Sequence, residues 1–199
     1  LSGMLGATKN MAVQYVILIA AFLVGLLAVG WVNDYSTIIP QLEYGALITD
    51  LSSEFYEPFA SFDSYYLWIA TCFSLIVGTC GLPHVLVRFY TVESERTARW
   101  STVWGLFFIC LLYWSAPAMA AFGTDLYASN VGAVYPTADA AGMTPEAADV
   151  IVVFAAVLSD LPTWLVGFVA AGGIAAAIAT TAGLFIAGSS AISHDIYTT

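Results

Sequence analysis

Two stretches of this chain place polar atoms or interrupted backbone inside apolar sequence, and chemistry could sit there. The first is GTCGLPH, Gly78–His84. Pro83 has no backbone N–H, and its ring clashes with the preceding turn. A helix running through it therefore leaves carbonyls near Thr79 in need of another partner. In a membrane, such backbone survives only where protein or a water-filled cavity satisfies it. Broken helices of this kind form binding sites for transported solutes. A plain proline kink in a packed helix fits the same residues. His84 can donate to an anion or relay a proton, or it can bond a neighbouring carbonyl. Arg88, one turn later, can reach the interface.

The second stretch is LVGFVAAGGIAAAIATTAGLFIAGSSAISHDIY. Gly172, Ala176, Ala179, Thr180 and Gly183 share one helical face by i, i+3, i+4 spacing. Small residues let helices approach closely in lipid, which makes this stripe a packing surface. Thr180 and Thr181 add hydroxyls near the middle of the run. A hard cation such as sodium uses hydroxyl and carbonyl oxygens. A hydroxyl can instead bond its own helix at i−4, and composition alone favours that. His194 and Asp195 close the segment, either as an ordinary interfacial helix end or as an ionic latch. Two such ligands are too few for a metal centre. Ser189, Ser190 and Ser193 have only His194 as a nearby base, and no catalytic triad, phosphate loop or zinc motif is present.

The elements that must carry these residues are membrane spans. A transmembrane helix needs about 20 mostly apolar residues. Four segments qualify: Asn10–Val32, Tyr65–Phe89, Trp100–Phe122 and Leu161–Ser193. Aromatic residues such as Trp31, Tyr65, Tyr66, Trp100 and Trp164 mark their ends, as amphipathic rings do at an interface. Two long polar connections, Asn33–Ser64 and Gly123–Asp160, are expected as loops on one side. Within the second, TPEAADVIVVFAAVLSDLP reads as a short surface helix, with Thr144 as its cap and Pro145 in its first turn. The four cations, Lys9, Arg88, Arg96 and Arg99, all fall on the other side. The positive-inside rule makes that side cytoplasmic. Eleven acids collect opposite, where they can draw cations or reflect adaptation to high salt.

Composition excludes most alternatives. The 199 residues are 60% hydrophobic and 9% charged, against about 25% charged in a soluble domain. The mean hydropathy is +0.86. Four Lys+Arg against fourteen Asp+Glu leave no cationic surface for nucleic acid. Cys72, Cys80 and Cys110 lie in apolar runs and read as small packing residues, with no disulfide framework. No signal peptide is evident, and the chain reads as a single transmembrane domain, an internal fragment of a longer multi-pass protein of the plasma membrane.

The block GTCGLPHVLVRFYTVESERTARWS resembles the segment that follows the broken helix of sodium/solute symporters, in the branch of cation/acetate (monocarboxylate) symporters. LPTWLVGFVAAGGIAAAIATTAGLFIAGSSAISHDIY and the loop carrying IPQL resemble the same branch. Nearly the whole chain is covered, and the GLPH–RF and SHD blocks together carry the likeness.

The resemblance implies an all-α, LeuT-type bundle of two inverted five-helix repeats, with the four spans standing as its fifth to eighth core helices. It implies a sodium site between the first core helix, which lies outside this sequence, and the eighth. Its positions here are Ala176, acting through its carbonyl, Ala179 and Thr180. Serine is usual at position 179 in this branch, so alanine is a departure. Thr181 is the next hydroxyl, rotated by about 100° around the helix. The solute-facing positions fall at Thr79 and Cys80, flanked by Gly78, Gly81 and His84. The expected activity is sodium-coupled symport of a small organic anion such as acetate. No cofactor is expected beyond the coupling sodium ion, and the expected partners are lipid and the remaining helices of the full-length chain. A membrane sensor built on the same scaffold and a proton-coupled carrier are the alternatives.

Overall fold

A computed structural model describes residues 3–51, 64–86, 92–134 and 150–193. These residues are all-helical apart from short connections. Helix α1 (Gly3–Val32) is one continuous helix, apolar over most of its length. It ends where Asp34 takes a left-handed φ of 56°. There the N–H groups of Tyr35 and Ser36 both donate to the Gly30 carbonyl, at 2.9 and 3.2 Å. Short aspartate tolerates that conformation better than bulkier residues. Helices α2 (Pro40–Glu43) and α3 (Gly45–Leu51) follow. The connection after the first span is thus partly helical, and both short helices pack on the sixth helix.

The segment Tyr65–Phe89 is not one continuous helix. Helix α4 (Tyr65–Cys80) stops at Gly81, and α5 (Pro83–Leu86) restarts after Leu82. The break falls where Pro83 can donate no hydrogen bond. The Gly81 N–H closes α4 on the Val77 and Gly78 carbonyls, at 3.1 and 3.2 Å. At 1.5 Å per residue, the 16 residues of α4 rise about 24 Å, less than the ~30 Å hydrocarbon core.

Helix α6 (Glu95–Val134) has 40 residues and rises about 60 Å. It runs well past Phe122, where the apolar sequence ends, so the start of the connection Gly123–Asp160 is helix rather than loop. A helix that leaves lipid needs only satisfied backbone and a partner, and this one has both. Thr124 and Asn130 bond the carbonyls four residues back, at 2.9 Å each. Helix α7 (Ile151–Leu158) lies against this extension. Gly123 permits the contact, because a Cβ there would sit 2.5 Å from Ile151 Cγ1. The expected surface helix is therefore present as α7, while its expected caps Thr144 and Pro145 lie outside the described residues.

Helix α8 (Thr163–Ala191) pairs along its length with α1. The pairing is antiparallel, since Gly25 meets Val169 and Ala21 meets Gly172. The buried core gathers at one end of the bundle: Leu26 and Val29 of α1, Met119 and Phe122 of α6, Ala155 and Ala156 of α7, and Leu161 and Leu165 at the start of α8. Among the described residues, three helices are long and apolar enough to cross a membrane: Leu5–Val32, Glu95–Asn130 and Thr163–Ala191. Trp104, Phe107, Tyr113 and Phe73 point outward from α6 and α4. Water would penalise those faces; lipid or further helices cover them without cost.

Candidate ion and solute site

The small residues of α8 have two consequences. Above, Gly172 brings α8 against Ala21 so closely that an added Cβ would lie 2.5 Å from the alanine methyl. Below, the same face draws away from α1 and leaves a cavity of about 400 Å³. Ala175, Ala176, Ala179 and Thr180 form its α8 wall, and Thr8, Met11, Gln14, Tyr15 and Leu18 are among the α1 residues opposite. Three of the four residues expected around sodium are thus brought together facing α1. Thr181 is not part of this wall.

Both threonines make the intrahelical bond available to them. Thr180 Oγ1 donates to the Ala176 carbonyl at 3.1 Å, and Thr181 Oγ1 to the Ala177 carbonyl at 2.7 Å. Such a bond uses the hydroxyl proton and leaves the oxygen lone pairs free to face a cation. Thr180 lines the cavity and is itself exposed.

Sequence reasoning did not single out the α1 wall. Gln14 Oε1 and Tyr15 Oη are shut off from solvent and have no hydrogen-bond partner among the described residues. Two polar residues in the run AVQYVILIAAFLVG were the available signal. Their significance depends on which face α1 turns to α8, which is a tertiary fact.

The expected solute positions lie elsewhere. Gly78, Thr79 and Cys80 occupy the last turn of α4, and Gly81 is its C-cap. All four are exposed. Thr79 Oγ1 donates to the Leu75 carbonyl at 2.6 Å, and a Cβ added at Gly78 would meet nothing within 4 Å. His84 stands second in α5, and its side chain lies outside the described atoms. His194 and Asp195 lie outside the described residues. Helix α5 packs on α8, which links the break to the helix carrying Thr180. A second cavity, about 490 Å³, is walled by residues such as Leu18, Phe22, Leu112 and Val169. It is apolar and offers an organic anion no cationic group.

The opposite end is held by polar contacts. Asn33 Nδ2 bonds the Val29 carbonyl and Ser159 Oγ, each at 2.8 Å. Gln41 Nε2 donates to Ser115 Oγ at 2.8 Å in a buried pair joining α2 to α6. Tyr35 stacks on Phe122 with centroids 4.9 Å apart and donates its hydroxyl to Asp125. Burial, and then the Asp125 bond and charge, push the Tyr35 phenol well above its ordinary value. Glu43 accepts from the backbone N–H groups of Thr37, Ile38 and Ile39. Those bonds, led by Thr37, hold its carboxyl below the ordinary range.

The family model for the sodium:solute symporter family matches residues 2–199. The chain belongs to the sodium:solute symporter family. With its three spanning-length helices, it is part of an integral membrane protein, in a family of transporters. It is 33% identical over 156 residues, 65% of its length, to an uncharacterised symporter of Cupriavidus necator, covering 23% of that protein. It is 32% identical over 154 residues, 75% of its length, to an uncharacterised symporter of Bacillus subtilis, covering 27% of it. It is 32% identical over 163 residues, 79% of its length, to the monocarboxylic acid transporter of Corynebacterium glutamicum, covering 24% of it. The chain thus spans about a quarter of the length of these curated relatives. No solved structure matches it.

Proposed function

We propose that the full-length protein is a secondary active transporter of the plasma membrane that couples sodium entry to uptake of a small monocarboxylate such as acetate. The observation that carries the sodium half is the cavity between α1 and α8, where Ala176, Ala179 and Thr180 share a wall. The likeness to a monocarboxylic acid transporter supports the solute half. In this reading Thr180 Oγ1 and the Ala176 carbonyl offer oxygens to sodium. Gly78, Thr79, Cys80, Gly81 and His84 border the solute at the break between α4 and α5. Thr181 is held in reserve one position around the helix. The broken α4–α5 unit serves as the remaining span, with Lys9, Arg96 and Arg99 on the cytoplasmic side.

Coupling requires only that sodium bind one conformation better than the other. The membrane potential then adds about 2.3 kcal/mol per charge per 100 mV. Because α5 packs on α8, an ion held against α8 has a direct mechanical route to the solute side. Ala179 favours a second reading, proton coupling, because its methyl supplies no oxygen. Uptake of labelled acetate by the full-length protein in proteoliposomes decides between them. Concentrative uptake driven only by inward sodium is expected. Uptake driven by a pH gradient and indifferent to sodium overturns the sodium assignment in favour of the second reading. Absence of uptake under either gradient overturns the acetate assignment.

A further inference from the structure

The connection after α1 carries an exposed apolar surface. Ile38 and Leu42 are 70% and 66% exposed, and Ile39 is exposed beside them. Pro40 and Gln41 are buried. Within one turn, α2 therefore has an inward face and an outward apolar face.

Two contacts fix the depth of α2. A Cβ added at Gly30 of α1 would lie 3.3 Å from Pro40 Cγ and 3.3 Å from Phe122 Cε2 of α6. Gln41 Nε2 reaches Ser115 Oγ, and Ser115 precedes Phe122 by about 10 Å along α6, at 1.5 Å per residue. Gly30 and Ser115 both lie inside helices of spanning length. The chain thus leaves α1 at Val32 and turns back, and α2 sits level with the last turns of two spans rather than beyond them. Trp31 and Trp114, both exposed, adjoin Gly30 and Ser115 and bracket this level. Amphipathic rings favour the boundary between lipid and water.

The backbone suits that place. Where water is scarce, its polar groups must be satisfied within the protein. The N–H groups of Tyr35 and Ser36 donate to the Gly30 carbonyl. Those of Thr37, Ile38 and Ile39 donate to the Glu43 carboxylate, and Pro40 has none. One carboxylate closes three donors, and its charge stays hydrated in the headgroup layer.

We propose that Ile38–Leu42 is an interfacial anchor, which inserts Ile38, Ile39 and Leu42 into the headgroup–acyl boundary of the bilayer at that end of the spans. The occupant is lipid, because the patch lies at membrane depth, at the same end as the exposed Trp31 and Val32. Amphipathic segments bury their apolar face about 5–10 Å into that boundary. The proposal is independent of which ion or solute is carried.

The test uses the full-length protein in vesicles of phosphatidylcholine and phosphatidylglycerol. Nitroxide labels at Ile38→Cys and Leu42→Cys, made singly with the other cysteines replaced, report collisions with oxygen, which dissolves in lipid, and with a water-soluble nickel chelate. Both labels are expected to meet oxygen in excess of chelate, at a depth just below the phosphates. Benzoylphenylalanine placed at the same two positions, with the native cysteines kept, is expected to form photo-adducts with lipid, which keeps the test open if cysteine replacement disrupts folding. Chelate in excess at either label, or no lipid adduct at either position, places the segment in water and overturns the proposal. Labels shielded from both reagents, with photo-crosslinks to protein, assign the face to another part of the chain or to a second copy and also overturn it.

Discussion

The antiparallel seam of α1 and α8 rests on one exchangeable methyl. An added Cβ at Gly172 would lie 2.5 Å from Ala21 Cβ, whereas carbon atoms pack best at about 3.5–4.0 Å. The Ala21 methyl cannot rotate away, so a Gly172→Ala helix must move back by about 1 Å or more. Overpacking of this kind costs about 1–3 kcal/mol, against a helix-propensity gain of about 1 kcal/mol for replacing glycine. The net expectation is a loss of up to about 2 kcal/mol. Ala21→Gly alone should also destabilise, through lost propensity and a small void. Combined, the two changes move the methyl from one helix to the other and cancel the propensity terms. The double variant should therefore return to within about 0.5 kcal/mol of wild type. Thermal melts of the four full-length proteins in one detergent measure this cycle. The sodium half-saturation should follow the same order, because the seam holds the cavity walls at their spacing. A Gly172→Ala protein that melts clearly above wild type, or additive single effects, would refute the antiparallel contact and the cavity built on it.

Three further outcomes follow from the same geometry. Thr180→Ala should raise the sodium half-saturation more than Thr181→Ala, since only Thr180 lines the cavity; equal effects in uptake assays would remove the distinction. Pro83→Ala restores a backbone donor at the break between α4 and α5, and it should lower the turnover of uptake with membrane expression nearly unchanged. Glu43 has a depressed carboxyl pKa, so its hold on residues Thr37–Ile39 is complete above the ordinary glutamate range and is lost as pH falls through the lowered value. Amide exchange at those residues, corrected for intrinsic rate, should stay protected near pH 5 and quicken only at more acidic pH. Glu43→Gln should remove that pH dependence.

What the sequence disclosed follows from where each determinant lies. Helices α1 and α8 are legible because an apolar run of spanning length has few other fates. The break at Gly81–Leu82 is legible because Pro83 removes a donor wherever it stands. The extension of α6 to Val134 is not, because hydropathy falls after Phe122 while helicity persists on packing against α7. Nor are α2 and α3, which at 4 and 7 residues are too short to show a period. At the site, the stripe from Gly172 to Gly183 is readable from i, i+3, i+4 spacing, since it is a property of one helix. The opposing wall at Gln14 and Tyr15 is not, because it depends on the register between helices far apart in sequence.

That division also bears on how such a site can work. The well-packed core lies at one end, where Leu26, Phe122, Ala155 and Leu165 meet and Asn33, Gln41 and Tyr35 add polar ties. Toward the other end the α1–α8 seam opens into the cavity lined by Thr180, and α4 contributes no buried residue. An element with little buried contact opens at low free-energy cost. A firmly held end and a loosely held end on the same pair of helices make a lever. In the proposed mechanism, an ion held by Thr180 and the Ala176 carbonyl would tighten the loose end alone. Because α5 packs on α8, the proposed coupling would run through that contact to the break beside Gly81.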